Sequence, residues 1–415
     1  MNSKRIRITS KHKRGRITHP VIYRLDSLAY QVSIGLMICL PFLVPFTDAR
    51  NIDLQGLILL LAGLTSLLVT LNRQIFSRLG QREQILLGIF GTLCLFSMAV
   101  NPHWYYNFFG APYIRLGVAG LLSCIACGLV LGAISTRRLI TSLYWLICLV
   151  AIVSIPYNWL RFHSFLRIGG VFAQTDIFAV FLACGLLLGL TMTKSYPHWR
   201  WPIRIIQFGL ASLLILTQTR AVLLLVVILY VYIFWQSRQY KKWSNRKWAI
   251  CVSGVLCVLI GAKILLPARL TNVNYASQSI QYRFSLQRYA LDATMQKPFF
   301  GYGPGNLADA LACNKLTATS LQKTCHAGYF FNSSHNIFLD RVLAIGWIGG
   351  LAFLLFVLIE LRSGLGDDSD TRILTYCALL IACYYLTNVT NITLELLLWI
   401  LLIHIALQRS VKQSI

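Results

Sequence analysis

Charge is scarce in this sequence, and acidic charge scarcest of all. Only 12% of the 415 residues are Asp, Glu, Lys or Arg, and 13 acids stand against 38 bases. With 57% of residues hydrophobic and a mean hydropathy of +0.64, the length does not read as two or three soluble domains. No acidic cluster of the kind that holds Mg²⁺ is present. The one glycine-rich stretch, Gly301-Tyr302-Gly303-Pro304-Gly305-Asn306, lacks the Gly-Lys-Ser/Thr ending of a nucleotide loop. Internal repeats and low-complexity tracts are missing too. A net charge of +25 would point to nucleic acid in a soluble protein, but no basic, aromatic-interleaved surface domain accompanies it. The positive residues fall instead in short connections.

What is there is a series of apolar stretches of 16–25 residues, each about long enough to cross a ~30 Å hydrocarbon layer. The fold class is therefore an all-α polytopic membrane protein. Twelve spans are expected, near 28–46, 54–71, 84–100, 115–135, 139–157, 171–192, 202–219, 221–236, 248–266, 336–360, 373–388 and 393–408. The implied organisation is a basic cytoplasmic tail (1–27), nine spans (28–266), a large periplasmic loop (267–335), three spans (336–408) and a second tail (409–415). The first tail is followed by no cleavage site and reads as retained. This arrangement places 25 of the 38 basic residues on one side, as the positive-inside rule requires, and shifting it by one span inverts the pattern.

The aromatic run Trp104-Tyr105-Tyr106 with Phe108-Phe109 reads as an interfacial belt. Ten of the twelve cysteines lie inside spans, and the Cys124-x-x-Cys127 pair has no second half elsewhere, so packing is its ordinary role. Cys313 and Cys325 differ. Both fall in the large loop, where an oxidising compartment makes a disulfide the expected state.

Charges close to a bilayer each need a reason. Arg220 follows Thr217-Gln218-Thr219 at a tight turn between two spans, and Arg283 lies in the large loop ahead of the glycine-rich stretch. Arg161 and Arg167 precede Gly169-Gly170 and Asp176. Guanidinium suits phosphate because its planar fork donates two parallel hydrogen bonds. The plainer alternative is snorkelling, or pairing with the few outer acids, and it is the preferred reading for Arg115, Arg269, Arg288 and Lys297. Four histidines fall on the outer side: His103, His163, His326 and His335. His335 is set apart by its place where the large loop meets a span. Gly346 and Gly349 are expected to let that span pack closely on a neighbour and hold the histidine rigidly. Asp340, Arg341 and Glu395 are candidate orienting groups.

These residues carry a resemblance. His335-Asn336, nine residues, then Gly346-x-x-Gly349 resembles the signature of the O-antigen ligase and polymerase superfamily. Leu216-Thr217-Gln218-Thr219-Arg220-Ala221-x-x-Leu224-Leu225 is similar to the arginine motif of the ligase branch. The stretch from Arg283 through Pro298 to Asn306 resembles that family's outer-loop pattern, except that Gln287 stands where relatives often carry Trp. Gly170 to Asp176 fits less specifically.

The resemblance implies a glycosyltransferase of the C type working at the periplasmic face of a Gram-negative inner membrane. It implies transfer of a preassembled glycan from undecaprenyl diphosphate to a sugar hydroxyl of lipid A–core, completing lipopolysaccharide. Configuration is inverted, and no metal or cofactor takes part. Arg220 and Arg283 are then expected to clamp the diphosphate and His335 to orient or deprotonate the acceptor. Arg161, Arg167, Asp176 and Asn336 stand in a second rank. An O-antigen polymerase or a protein O-glycosylating enzyme would use nearly the same residues on another acceptor. The modest loop and short C-terminal tail speak against the protein-glycosylating type. A transporter would favour broken helices and ionisable groups at mid-membrane, whereas the notable charges here crowd the outer ends.

Overall fold

The computed structural model describes residues 49–110, 116–162, 168–172, 174–236, 273–312, 331 and 333–413. The expected spans 28–46 and 248–266 and the residues Arg115, His163, Arg167, Arg269, Cys313, Cys325 and His326 lie outside them, as does the side chain of Arg161.

The described residues are helical. In chain order they form α1 (Ala49–Asn72), α2 (Gln81–Val100), the short α3 (Trp104–Phe109), α4 (Val118–Gly132) and α5 (Thr136–Phe162). Then come α6 (Thr175–Ser195), α7 (Arg200–Leu216), α8 (Arg220–Gln236), α9 (Val273–Gln296) and the single turn α10 (Leu307–Ala310). The chain closes with α11 (Ile337–Leu365), α12 (Ser369–Tyr385) and α13 (Ile392–Gln413).

Ten of the twelve expected spans coincide with one of these helices. Five helices, α2, α5, α6, α11 and α13, are long and apolar enough to cross a membrane, so the chain is a multi-pass membrane protein. The shorter helices are accounted for by position. α4 is buried along nearly its whole length between α1 and α13, so other helices, not its own length, shield it from lipid. Gly128 and Gly132 allow the approach, because a Cβ at either would press on the backbone of Trp399 or His404. Trp399 is the centre of the core, fully buried and stacked at 5.7 Å on Phe356. The periphery is the reverse of a soluble protein, with Leu68, Phe208, Leu224 and Ile152 exposed on the rim helices. The CxxC cysteines are buried on α4 and form no disulfide, Cys127 Sγ lying 3.5 Å from Ser66 Oγ.

One element departs from the expected loop. The first part of the 267–335 segment holds the 24-residue helix α9. Its residues Leu286, Ala290 and Ala293 pack with Tyr302, Phe331 and Leu343 into a second small core beside α11, while Phe284 and Met295 stay exposed. The apolar positions recur every three or four residues, the mark of a half-buried helix.

Gly346 also has a different role from close packing between spans. α11 is broken there, with φ 79° and ψ 175°, a region essentially reserved for glycine. The break frees backbone groups, and the 297–303 segment takes them up. Tyr302 N donates to Leu343 O at 2.7 Å, Gly303 N to Ala344 O at 3.0 Å, and Trp347 N to Pro298 O at 2.8 Å. Ser97 Oγ adds a bond to Ala344 O at 2.7 Å. The glycine-rich stretch is thus a docking strip laid into a broken helix, and Gly301 and Gly303 take positive φ to lie there. A Cβ at Gly346 would fall onto the carbonyl oxygen of Phe299. Gly346→Ala is therefore expected to cost about 1–3 kcal/mol from backbone strain alone, whereas Gly88→Ala, inside α2, meets nothing within 4 Å and is expected to be neutral to mildly stabilising. Thermal unfolding in detergent checks the pair: a lowered Tm for the first only.

Two ionic groups tie the bundle at its ends. Near His335, Arg341 on α11 pairs with Glu395 on α13, whose carboxylate also accepts from Trp399 Nε1 at 3.1 Å. At the far end Arg409 joins Glu83 and Glu360, and Lys412 joins Asp367 and Asp368.

Candidate active site

The sequence Ser333-Ser334-His335-Asn336 enters α11 through a closed set of hydrogen bonds. Asn336 is the N-cap, its Oδ1 accepting from Phe338 N at 3.0 Å and Leu339 N at 3.2 Å, which satisfies two donors that a helix start leaves free. Asp340 in the first turn accepts from Ser333 Oγ at 2.6 Å and Ser334 N at 2.7 Å, and its charge suits the positive helix end. Ser333 Oγ in turn accepts from His335 N at 3.1 Å. Between these bonds His335 is held at φ 59°, a left-handed conformation uncommon outside glycine. Strain of this kind persists only where the surroundings over-determine it.

The imidazole is partly buried and stands edge-on to Tyr282, ring centres 6.4 Å apart. Its Nδ1 is buried with no hydrogen-bond partner among the described residues. Burial and then the neighbouring Arg283 charge push its pKa down to about 4, against a smaller upward pull from Asp176. The ring is neutral at pH 7, with a nitrogen to spare.

Arg283 is carried by α9, half-buried on the face turned to this ring. Arg220 opens α8 after a turn that its own sequence builds. Thr217 Oγ1 caps back onto Leu214 O at 2.7 Å, Gln218 takes φ 57°, and Thr219 Oγ1 donates to Asp176 Oδ1 at 3.2 Å. A cation at a helix N-terminus opposes the dipole, so Arg220 does not stand there to stabilise its helix. Neither guanidinium has an ion-pair or hydrogen-bond partner among the described residues.

The structure therefore joins Asp176, the Thr219–Arg220 turn, Arg283 and His335 in one neighbourhood. Asp176 and Arg283 both act on the buried Tyr384 hydroxyl as well. Asn336, placed in the second rank from the sequence, serves as the N-cap of α11. Three contributors were not singled out from the sequence. Tyr384, near the end of α12, is the first, its hydroxyl under the charges of Asp176 and Arg283. Gln218, whose Nε2 is buried without a partner among the described residues, is the second. Ser333, which donates to the expected orienting acid Asp340, is the third. Only Gln218 carried a signal, as an amide inside an arginine motif. Among the described residues no group of three His, Cys, Asp or Glu side chains is close enough to hold a metal ion.

Residues 205–354 match the family model described as O-antigen ligase. A little over a third of the chain is thus similar to that family. The matched stretch runs from α7 into α11 and contains Arg220, Arg283 and His335, while Asp176 reaches it from α6 outside the match. Two curated relatives, both from Acinetobacter baylyi, are similar in part. One, a ComP-specific O-oligosaccharyltransferase, is 35% identical over 91 residues, 21% of this chain and 16% of the relative. The other, a general O-oligosaccharyltransferase, is 28% identical over 196 residues, 43% of this chain and 33% of the relative. The matches thus span a third or less of those relatives. Within the matched stretch the two motif arginines sit on separate helices, and the break in α11 receives the 297–303 strip that follows α9.

Proposed function

We propose that this chain is a membrane glycosyltransferase of the ligase type, moving a preassembled glycan from undecaprenyl diphosphate to a sugar hydroxyl of lipid A–core. The observation that carries this reading is a neutral, partly buried His335 beside Arg283, with both motif arginines unpaired among the described residues. Arg220 and Arg283 bind the diphosphate, each able to offer two parallel donors. The acceptor oxygen attacks the anomeric carbon as the bond to the diphosphate oxygen breaks. The electron pair leaves with the diphosphate, and the hydroxyl proton passes to the imidazole. Attack opposite the leaving group inverts the anomeric centre. Guanidinium meets the charge that develops on the leaving group. Arg161, Arg167 and Asp176 are assigned to the surrounding donor and acceptor contacts. The charge pattern supports a site facing the periplasm of a Gram-negative inner membrane, with 267–335 on that side.

A second reading has its own support. The two relatives are named as O-oligosaccharyltransferases, and a serine or threonine hydroxyl offered by a protein would meet the same histidine. A deletion strain separates the two. Loss of lipopolysaccharide ligation leaves bare core on a gel while lipid-linked glycan accumulates. Loss of protein glycosylation leaves the lipopolysaccharide ladder intact and removes glycan from protein bands. An unchanged pattern in both would reject the reading.

The pH dependence follows from the sign of the His335 shift. A base depressed to about 4 is fully neutral above roughly pH 6, so kcat/KM should be flat there as far as His335 is concerned. It should fall only as the pH approaches 4. An acid limb near 6.5 would show that the histidine is unperturbed in the working protein.

A further inference from the structure

We propose that Gln287 is a positioning residue that locks the His335 turn to the Arg283 helix, through one side-chain amide shared between two carbonyls. The inference rests on the reading of His335 and Arg283 given above. Gln287 lies four residues after Arg283 on α9, one helical turn away and on the same face. Its Nε2 donates to His335 O at 3.2 Å and to Leu386 O at 3.1 Å. Leu386 caps the end of α12 and also accepts from Asn336 Nδ2 at 3.4 Å. Three elements meet at this amide: the helix bearing the arginine, the turn bearing the histidine, and the end of α12 beside Tyr384.

The bond to His335 O falls where it matters most. His335 is left-handed, and its peptide is free to relax toward the ordinary region unless both sides are held. Ser333 Oγ holds the N–H, and Gln287 holds the carbonyl. Both N–H bonds of the amide are in use, so a residue without two donors cannot replace it. Where the resembling family often carries Trp, an indole offers a single N–H and could hold one carbonyl only. This chain therefore has its own way of coupling the donor helix to the acceptor turn.

The test uses the full-length protein purified in detergent, with Gln287→Met as an isostere lacking donors and Gln287→Lys as a replacement that restores them. Transfer, donor binding and the rate at which diethyl pyrocarbonate modifies His335 are measured on each, the last by mass spectrometry. The expected result for Gln287→Met is a roughly tenfold fall in kcat with donor Kd within about twofold of the parent, and faster labelling of His335 as its turn loosens. Gln287→Lys should recover both. A merely structural role would lower the Tm without moving kcat per folded molecule or the labelling rate. Parent-like kcat and labelling in Gln287→Met would overturn the proposal, as would failure of lysine to recover either. If the parent itself shows no transfer, the proposed function fails while the labelling rates still decide whether Gln287 holds the turn.

Discussion

Purified His335→Asn protein is expected to bind lipid-linked donor as the parent does and to transfer at most about a hundredth to a ten-thousandth as fast. That range is what a positioned general base contributes. Asparagine is the informative replacement because it tolerates the left-handed backbone that His335 adopts, whereas alanine would add strain to the loss of the ring. Donor binding should survive because the imidazole is neutral and Nδ1 has no partner among the described residues; the charge proposed to hold a diphosphate lies on Arg220 and Arg283. The check is a separate measurement of donor binding and of transfer to lipid A–core. Transfer at the parent rate would remove His335 from the chemistry. Lost donor binding in a folded variant would move it to the diphosphate and leave the acceptor without its base.

Lysine at Arg220 or Arg283 is expected to cost about tenfold to a hundredfold in kcat/KM at each position. The charge survives, but the second parallel hydrogen bond does not, and a charge-assisted bond is worth roughly 1.5–3 kcal/mol, which converts to that range when it is realised in the transition state. Arg288 offers the control. It sits on the same helix as Arg283, exposed, and Arg288→Lys should leave kcat/KM within about twofold. Donor affinity should weaken in the first two variants and hold in the third, read by titration with lipid-linked donor. Equal tolerance at all three would make the motif arginines interfacial anchors.

Much of this arrangement was legible in the residues. Apolar run length located ten helices, because a segment that must satisfy its backbone away from water has few alternatives to a helix. The motif residues His335, Arg220 and Arg283 were visible as charges and a ring placed where charge is costly. The rest was hidden for identifiable reasons. α9 was invisible as an element because its apolar face is only a few residues wide and its other side is polar. The break at Gly346 could not be told from a close-packing glycine, since both want a missing side chain; the difference lies in Phe299 and Pro298, far earlier in the chain, pressing on it. The partners of Asp340 and Arg341 were a matter of direction. Asp340 points back to the serines and Arg341 across to Glu395, which spacing along one helix does not reveal.

The Arg341–Glu395 pair has a consequence for how the chain is made. Arg341 enters the bilayer with α11, while the carboxylate that neutralises it belongs to α13 and leaves the ribosome 54 residues later. Between those moments the nascent protein holds a cation near the membrane without its counter-charge, a costly intermediate. The docking strip waits in a similar way, because residues 297–303 are synthesised before the carbonyls of Leu343 and Ala344 that receive them. The strip can dock once α11 is made, but the charge on Arg341 is met only when the final helix has been threaded. Chains halted before residue 392 should be recognised as incomplete by membrane quality control, whatever the state of the helices already inserted.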